Sequence, residues 1–511
     1  MVSKVYTCAI MGINGLIIEV ETDISNGLPC FTIVGLPDAA IKESKERVRT
    51  SIKNSGYEYP IKKTIVNLAP ADIKKEGPCY DLPIAIGILS ATGQINCSCL
   101  NDYIIIGELS LDGRVKPVNG VLCMVAEAAK MGYKKAIVPF KNANEASIIR
   151  NIDIYPVSNL METLQILEQN TEIEPYRVEI SNIMKKDEVY DDFIDIKGQE
   201  NAKRALEISA AGGHNVIMIG PPGSGKTMLA RRLPGILPDM TFEEAIEVTK
   251  IYSISGKLNL NNGIICNRPF RSPHHTISAA ALIGGGRIPK PGEVSFSHYG
   301  VLFLDELPEF QRDALEVLRQ PLEDGIVNIS RVSAALTFPS AFMLVASMNP
   351  CQCGYLNDPT RECSCTQLSV KKYLGRISGP LLDRIDIHIE IYPVKYDELE
   401  NDGRGECSQK IRERVNKTRK LQIDRYKGNN IYCNAQLTPS MIKKFCKLND
   451  DAKKILRRAF ENLGFSARAY NRILKISRTI ADIDGSENIS TQNIAEAIQY
   501  RSMDRKYWEH G

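Results

Sequence analysis

The octapeptide Gly220-Pro221-Pro222-Gly223-Ser224-Gly225-Lys226-Thr227 restricts the folds open to this chain more than any other stretch. It fits G-x-x-x-x-G-K-[ST], in which backbone N–H groups and a lysine surround nucleotide phosphates while the Ser or Thr hydroxyl reaches Mg²⁺. That chemistry needs a strand before the loop and a helix after it. The run His214-Asn215-Val216-Ile217-Met218-Ile219, bounded by glycines, reads as a buried strand, and Met228 to Leu233 reads as a helix. All eight loop residues are therefore candidates to contact ATP, with Lys226 on the phosphates and Thr227 on Mg²⁺.

A nucleotide site of this kind needs a carboxylate for the metal and a base for the attacking water. Val301-Leu302-Phe303-Leu304-Asp305-Glu306 is an apolar strand ending in two acids, which assigns Asp305 to Mg²⁺ and Glu306 to the water. A third apolar run, Ala341 to Met348, ends at Asn349. Loop, acidic strand and Asn-ended strand in this order resemble the AAA+ ATPases. The resemblance implies that Asn349 orients the water against the γ-phosphate. It also implies that Arg384, in Ile377-Ser378-Gly379-Pro380-Leu381-Leu382-Asp383-Arg384-Ile385-Asp386, is an arginine finger reaching a neighbouring subunit's γ-phosphate, as in magnesium-chelatase and MCM-type motors. Near the C-terminus, Ser466 reads as the cap of a helix running to Ala481. By resemblance this is the sensor 2 helix, with Arg468 as the γ-phosphate contact and Arg472 one turn further on.

Before the phosphate loop, residues 1–170 alternate apolar strands (Leu16–Val20, Thr64–Leu68, Tyr103–Gly107, Ala136–Pro139) with amphipathic helices (Ala39–Ser55, Leu82–Thr92, Gly120–Met131), an α+β pattern. Lys75-Glu76-Gly77-Pro78-Cys79-Tyr80-Asp81-Leu82-Pro83 and Gly107 to Gly113 resemble the proteolytic domain of Lon-type proteases. That family carries a Ser-Lys pair. Here Cys79 stands at the serine position and the lysine position falls near Cys123, so a Cys79 nucleophile has no base, and the domain is read as a non-proteolytic platform. The expected architecture is α/β throughout: a Lon-protease-like α+β domain over 1–170, a charged linker over 171–192, an AAA+ αβα domain over 193–400 and a helical lid over 401–511.

The stretch between the phosphate loop and Asp305 holds Arg268-Pro269-Phe270-Arg271-Ser272-Pro273-His274-His275, three successive glycines at 284–286, and Pro289-Lys290-Pro291-Gly292-Glu293. It reads as a mobile loop and looks like the insertion of magnesium-chelatase ATPase subunits. His274-His275 has no acidic or cysteine ligands close in sequence and is not read as a metal site. With the Lon-like region, the resemblance spans nearly the whole chain and points to the YifB/ComM family of magnesium-chelatase-like proteins. That resemblance implies a hexameric ring acting on branched or single-stranded DNA, a helicase driving branch migration during natural transformation. The alternatives are a chelatase-type ATPase acting on a protein partner, and a Lon-like protease using Cys79. The chelatase alternative is weighed down because the first 170 residues resemble no part of the chelatase motor subunit.

Local features bearing on DNA are a hairpin, Gly325 to Val332 with Ala335 to Phe338, whose Arg331 is a candidate phosphate contact, and a basic helix over 404–427. The net charge of +3 neither requires nor excludes nucleic acid. The 14 cysteines, with no secretory signal and no apolar run long enough to span a bilayer, point to a reduced, cytoplasmic setting. Four of them, Cys351-Gln352-Cys353 and Cys363-Ser364-Cys365, have a spacing that can close a tetrahedral Zn²⁺ site. Cys97 and Cys99 receive no role.

Overall fold

The computed structural model describes residues 2–97, 99–168, 173–179, 191–286, 289–331, 334–358, 361–394, 405–429, 431–504 and 507–508. Most of the expected linker, the 400/401 boundary, Arg404, Ser98 and the tip of the 325–338 hairpin, with the Arg331 side chain, lie outside the described residues. The chain divides into two compact units. One comprises 1–186 with 242–266, and the other 187–241 with 267–511.

The first unit is built on β1 (Val2–Met11), β2 (Asn14–Ser25), β3 (Cys30–Val34), β4 (Lys63–Ala69), β5 (Tyr103–Ile105), β6 (Glu108–Leu109), β7 (Val115–Lys116), β8 (Lys135–Pro139) and β9 (Asp153–Val157). Seven of these form a mixed sheet in the order β3-β4-β2-β1-β5-β8-β9, and β6 pairs with β7. β1 pairs antiparallel with β2 along its whole length. Its first half alternates exposed and buried residues, the period-two pattern of a strand with one face on a core. The helix Asp81–Ala91 is buried all round because it is apolar all round. The helix Ala39–Asn54 starts where the Asp38 carboxylate accepts from the Ile41 N–H at 2.9 Å.

The stretch 242–266, which the sequence places inside the ATPase domain, folds with this first unit. Its helix Phe242–Ile254 packs on the helix Val121–Lys130. The Gly120 N–H donates to the Ser253 carbonyl at 3.1 Å, and the Ser253 hydroxyl donates to the buried Glu145 carboxylate at 2.6 Å. These partners are more than a hundred residues upstream, so no local pattern announces them.

The second unit holds β10 (Val216–Ile219), β11 (Phe270–Arg271), β12 (Gly284–Gly285), β13 (Lys290–Pro291), β14 (Val301–Leu304), β15 (Ile326–Arg331), β16 (Ala334–Pro339), β17 (Met343–Met348) and β18 (Ile387–Glu390). Its central sheet has the order β11-β14-β17-β10-β18, with every pairing parallel. Parallel strands are covered on both faces, which is why β10, β14 and β17 are apolar runs, broken only by Ser347 in β17, buried at every position. Each such aliphatic side chain contributes on the order of 2 kcal/mol of burial energy.

The helices Ser408–Arg425, Asp450–Leu463, Ala467–Ile483 and Thr491–Asp504 cluster with this sheet rather than forming a compact unit of their own. Their inward residues, among them Ile411, Val415, Ile473, Ile480 and Ile494, share one hydrophobic core with Val216, Phe303 and Val345. The region from 268 to 293, expected to be a mobile loop, is tied down where it is described. Phe270 and Arg271 form the sheet-edge strand β11, the Arg268 guanidinium donates to the carbonyls of Pro238 (2.6 Å) and Tyr299 (2.7 Å), and Arg271 grips Glu293 through two hydrogen bonds of 2.6 and 2.9 Å.

Candidate nucleotide site

Parallel register decides what meets at the sheet's C-terminal edge. Ile219 aligns with Met348, and Leu304 with Ala346, so the residues that follow each strand, Gly220, Asn349 and Asp305, emerge side by side. Ligand sites in open α/β sheets form at this edge. The loop after β10 turns through Gly223 and Gly225, both in the left-handed region (φ 76° and 88°), and the space a Cβ would occupy is open at each. Lys226 then begins the helix Lys226–Arg232 with its backbone N–H at the helix start, where anions are favoured.

Around this loop the expected side chains come together. The Lys226 ammonium donates to the carbonyls of Gly220 and Pro221 (both 2.8 Å) and to the Asn349 amide oxygen (3.2 Å). Burial pushes its pKa down to about 8, and the nearby Asp305 and Glu306 carboxylates only partly offset this. The Thr227 hydroxyl donates to one Asp305 oxygen at 2.7 Å, while the other Asp305 oxygen accepts from the Ser347 hydroxyl and from the Glu306 N–H (3.1 Å). A hydroxyl and a carboxylate in contact are hard oxygen donors, the set Mg²⁺ takes. An open glycine cradle, a buried lysine held by the loop's own carbonyls, the Ser224 hydroxyl and the Asn349 amide, and an oxygen pair fit ATP with Mg²⁺.

The structure adds residues that sequence reasoning passed over. Glu306 sits at φ +54°, the left-handed region, and its carboxylate faces His275 Nδ1 at 3.8 Å. His275 stacks on His274 with ring centroids 4.1 Å apart and meets the Phe310 ring edge-on. Adjacent histidines suggest metal ligation from sequence, whereas the neighbour of His275 is a carboxylate more than thirty positions downstream. Ser347 escaped notice as one more small residue of an apolar strand. Gln199, also in the left-handed region, reaches the Tyr392 carbonyl and, at 3.4 Å, the Ser224 carbonyl.

The three arginines lie apart from the lysine cluster. Arg384 donates to the Glu323 carboxylate and to the Pro380 carbonyl at 2.7 Å. Arg468 is exposed and reaches Asp383 only at 3.5 Å. Arg472 is more enclosed and pairs with Asp386. Burial alone would raise the Asp386 carboxyl, but Arg472, His214 and Lys475 outweigh it and hold the carboxyl well below the usual range. On the helix Ser408–Arg425 the arginines are taken up internally. Arg414 binds Glu207 (2.6 Å) and Glu406, Arg425 binds Asp482, and Arg419 donates to the Ala210 carbonyl at 3.2 Å. The basic face expected to meet DNA is reduced to exposed lysines such as Lys410, Lys417, Lys420 and Lys427.

In the first unit, Cys79 is buried, and burial drives its thiol far above the ordinary range. Cys123 is buried as well, with its thiol pushed up to about 12. A thiol so placed is neither ionised nor accessible, and the structure gives no support to nucleophilic cleavage at Cys79.

The four cysteines after β17 converge, their sulfurs all within 4.8 Å of one another. Burial pushes Cys351 up to about 12. Cys353, although burial opposes it, is drawn down to about 6 by the Tyr355 N–H and the neighbouring thiols. Four clustered thiols with one so lowered fit a soft cation, as the CxC spacing implies.

Comparison with known proteins places this geometry. Residues 192–399 match the family described as "Magnesium chelatase, subunit ChlI", residues 20–142 "Subunit ChlI of Mg-chelatase", and residues 405–501 "Magnesium chelatase, subunit ChlI C-terminal". Competence protein ComM of Haemophilus influenzae is 46% identical over 508 residues, covering 98% of this chain and 97% of that protein. The chain belongs to the ComM/YifB family of magnesium-chelatase-like AAA+ proteins. The YifB protein of Escherichia coli, itself uncharacterized, is 44% identical over 504 residues, 98% of this chain and 97% of its own. Lon protease 2 of Bacillus subtilis is 33% identical over 145 residues, 27% of this chain and 25% of that protein. The match over 20–142 corrects the expectation that the first 170 residues have no chelatase counterpart. Membership makes this an AAA+ ATPase fold for which ATP and Mg²⁺ are the implied cofactors. Among the described residues, no helix is long and apolar enough to cross a membrane.

Proposed function

We propose that this chain is an ATP-driven motor that works as a hexameric ring and remodels branched DNA, moving branch points during DNA uptake and recombination. The observation that carries the reading is full-length similarity to a protein named for competence, joined to a chain whose nucleotide residues already converge. Lys226 and the backbone N–H groups of the loop hold the phosphates. Thr227 and Asp305 hold Mg²⁺, which when bound offsets phosphate charge. Glu306 takes a proton from the attacking water as the bond to the ADP leaving group breaks, and Asn349 orients that water. Arg384 of a neighbouring subunit steadies the charge that develops, and Arg468 closes the lid side. The β15–β16 hairpin and the exposed lysines of the helix Ser408–Arg425 supply DNA contacts.

ATPase rates with and without forked or four-way DNA test this. DNA is expected to raise the rate several-fold, and Glu306→Gln to lower it by about 100-fold while ATP binding persists. No stimulation and no DNA binding at low salt would remove the DNA half of the reading. The second reading, a chelatase-type ATPase acting on a protein partner, is favoured by the family match running through the N-terminal unit. It predicts an ATPase indifferent to DNA.

A further inference from the structure

The cysteine cluster starts two residues after Asn349, with Pro350 between, and that adjacency gives it a role beyond holding a loop together. The sulfurs of Cys351, Cys353 and Cys363 lie 3.3, 3.5 and 3.7 Å apart in pairs, and the Cys353 N–H donates to Cys365 Sγ at 3.4 Å. A tetrahedron with Zn–S bonds of about 2.3 Å has edges of about 3.8 Å, so one ion fits inside this cluster with small shifts. The thiols are too close together to span an iron–sulfur cluster, and all are free rather than paired as disulfides. The next residue, Gly354, lies against the phosphate loop. It adopts φ +88°, and a Cβ there would come within 2.4 Å of Pro222 Cδ and 2.8 Å of Cγ. The loop that carries the thiols therefore touches the nucleotide site at two places, through Pro222 and through the chain at Asn349.

We infer that Cys351, Cys353, Cys363 and Cys365 bind one zinc ion as thiolates, and that this zinc knuckle is a strut that sets the positions of Pro222 and Asn349 for nucleotide binding. The second half rests on the nucleotide-site reading above. Coordination exchanges the thiol protons for the metal and cross-links a segment whose other ties include backbone turns and the contacts of Arg361 with Tyr355 and Asp358. Without metal the segment between β17 and the helix Gln367–Leu374 loses its cross-link, and both Asn349 and the back of the phosphate loop lose their support. Removing zinc therefore weakens nucleotide binding without touching any phosphate contact.

The full-length chain purified without chelator is expected to contain about one zinc per chain by elemental analysis, and Cys353→Ser with Cys363→Ser to lose it. Zinc below about 0.2 per chain, with no uptake when zinc is supplied to reduced protein, would overturn the metal site. Binding of a fluorescent ATP analogue then reads the strut. Chelator-stripped protein should bind at least about threefold more weakly, recovering on zinc addition, while its circular dichroism stays unchanged. Gly354→Ala guards against misfolding artefacts because it leaves every ligand in place. It should keep its zinc and still weaken binding by pressing on Pro222. Unchanged analogue affinity in both the stripped chain and Gly354→Ala would overturn the strut. Zinc-loaded wild-type protein that binds no nucleotide would overturn the nucleotide reading and the strut with it, and the zinc count would still decide the metal site by itself.

Discussion

Raising the pH from 7.0 to 8.5 probes the phosphate loop through one buried proton. The Lys226 ammonium is buried among carbonyls, and desolvation brings its pKa to about 8 against the usual 10.5. Phosphate oxygens in place of those carbonyls would hold the proton firmly, so binding must supply whatever charge the free lysine lacks. At pH 7.0 about nine in ten free chains already carry the proton, and binding takes up about 0.1. At pH 8.5 only about a quarter carry it, so uptake rises to about 0.75 proton and affinity falls about fourfold, roughly 0.8 kcal/mol. Isothermal titration of Glu306→Gln with Mg-ATP, in buffers of different ionisation enthalpy, reads the uptake directly. Uptake below about 0.2 at pH 8.5 would refute the buried-lysine argument. The stability of the free chain shifts in the opposite direction to the affinity. Below about pH 8 folded and unfolded chains both hold the proton and the burial penalty stands in full. Between about 8 and 10.5 only the unfolded chain holds it, so the folded state gains stability as pH rises through that window.

Asp386→Asn leaves Arg472 and His214 without their shared carboxylate, which should cost about 3–5 kcal/mol and lower the melting temperature by several degrees. Because the folded carboxyl is held below its ordinary value, its stabilisation is complete above about pH 4 and is lost as pH falls below that. Urea midpoints should therefore converge for wild type and mutant in acid, and a gap that persists there would count against the ion-pair account. Mixing Lys226→Ala chains with Arg384→Ala chains tests the trans role of Arg384: each is inactive alone, and in mixed rings about a quarter of the interfaces pair an intact loop with an intact arginine. ATPase that stays absent in verified mixed rings would remove Arg384 from the neighbour's site.

Where the chemistry is carried by a short run, the sequence reads well. Strands β10, β14 and β17 announce themselves as apolar runs that end in Gly220, Asp305 and Asn349, and parallel register brings those ends together. β1 is an instance of the reverse. It is not among the strands read from the sequence, and its period-two alternation is plain only once it is paired with β2. β18 is not among the strands read from the sequence, because Ile387 to Glu390 is too short to stand out after the finger segment that ends at Asp386. Charge is legible and its partners are not. Arg414 and Arg425 look like a nucleic-acid face until Glu207 and Asp482, 207 and 57 residues away, are seen to occupy them. His275 opposite Glu306 and the allegiance of 242–266 to the first unit share that cause: both depend on contacts that only folding supplies.

Asp386 shows how the helical region is geared to the phosphate loop. Its carboxylate receives Arg472 from the helix Ala467–Ile483 and the Asn215 N–H at 3.1 Å, one residue before β10. His214 completes the link, with one ring nitrogen facing Asp386 at 3.4 Å and the other bonded to the Thr479 hydroxyl at 2.8 Å on that same helix. The helix thus holds the root of β10 through two side chains, and β10 ends four residues later at the loop that would cradle phosphates. Because buried polar groups are costly to leave unpaired, a rotation of this helix that left β10 in place would break both contacts at a cost of several kcal/mol. The Asp386 junction therefore resists movement of the helix relative to the root of β10.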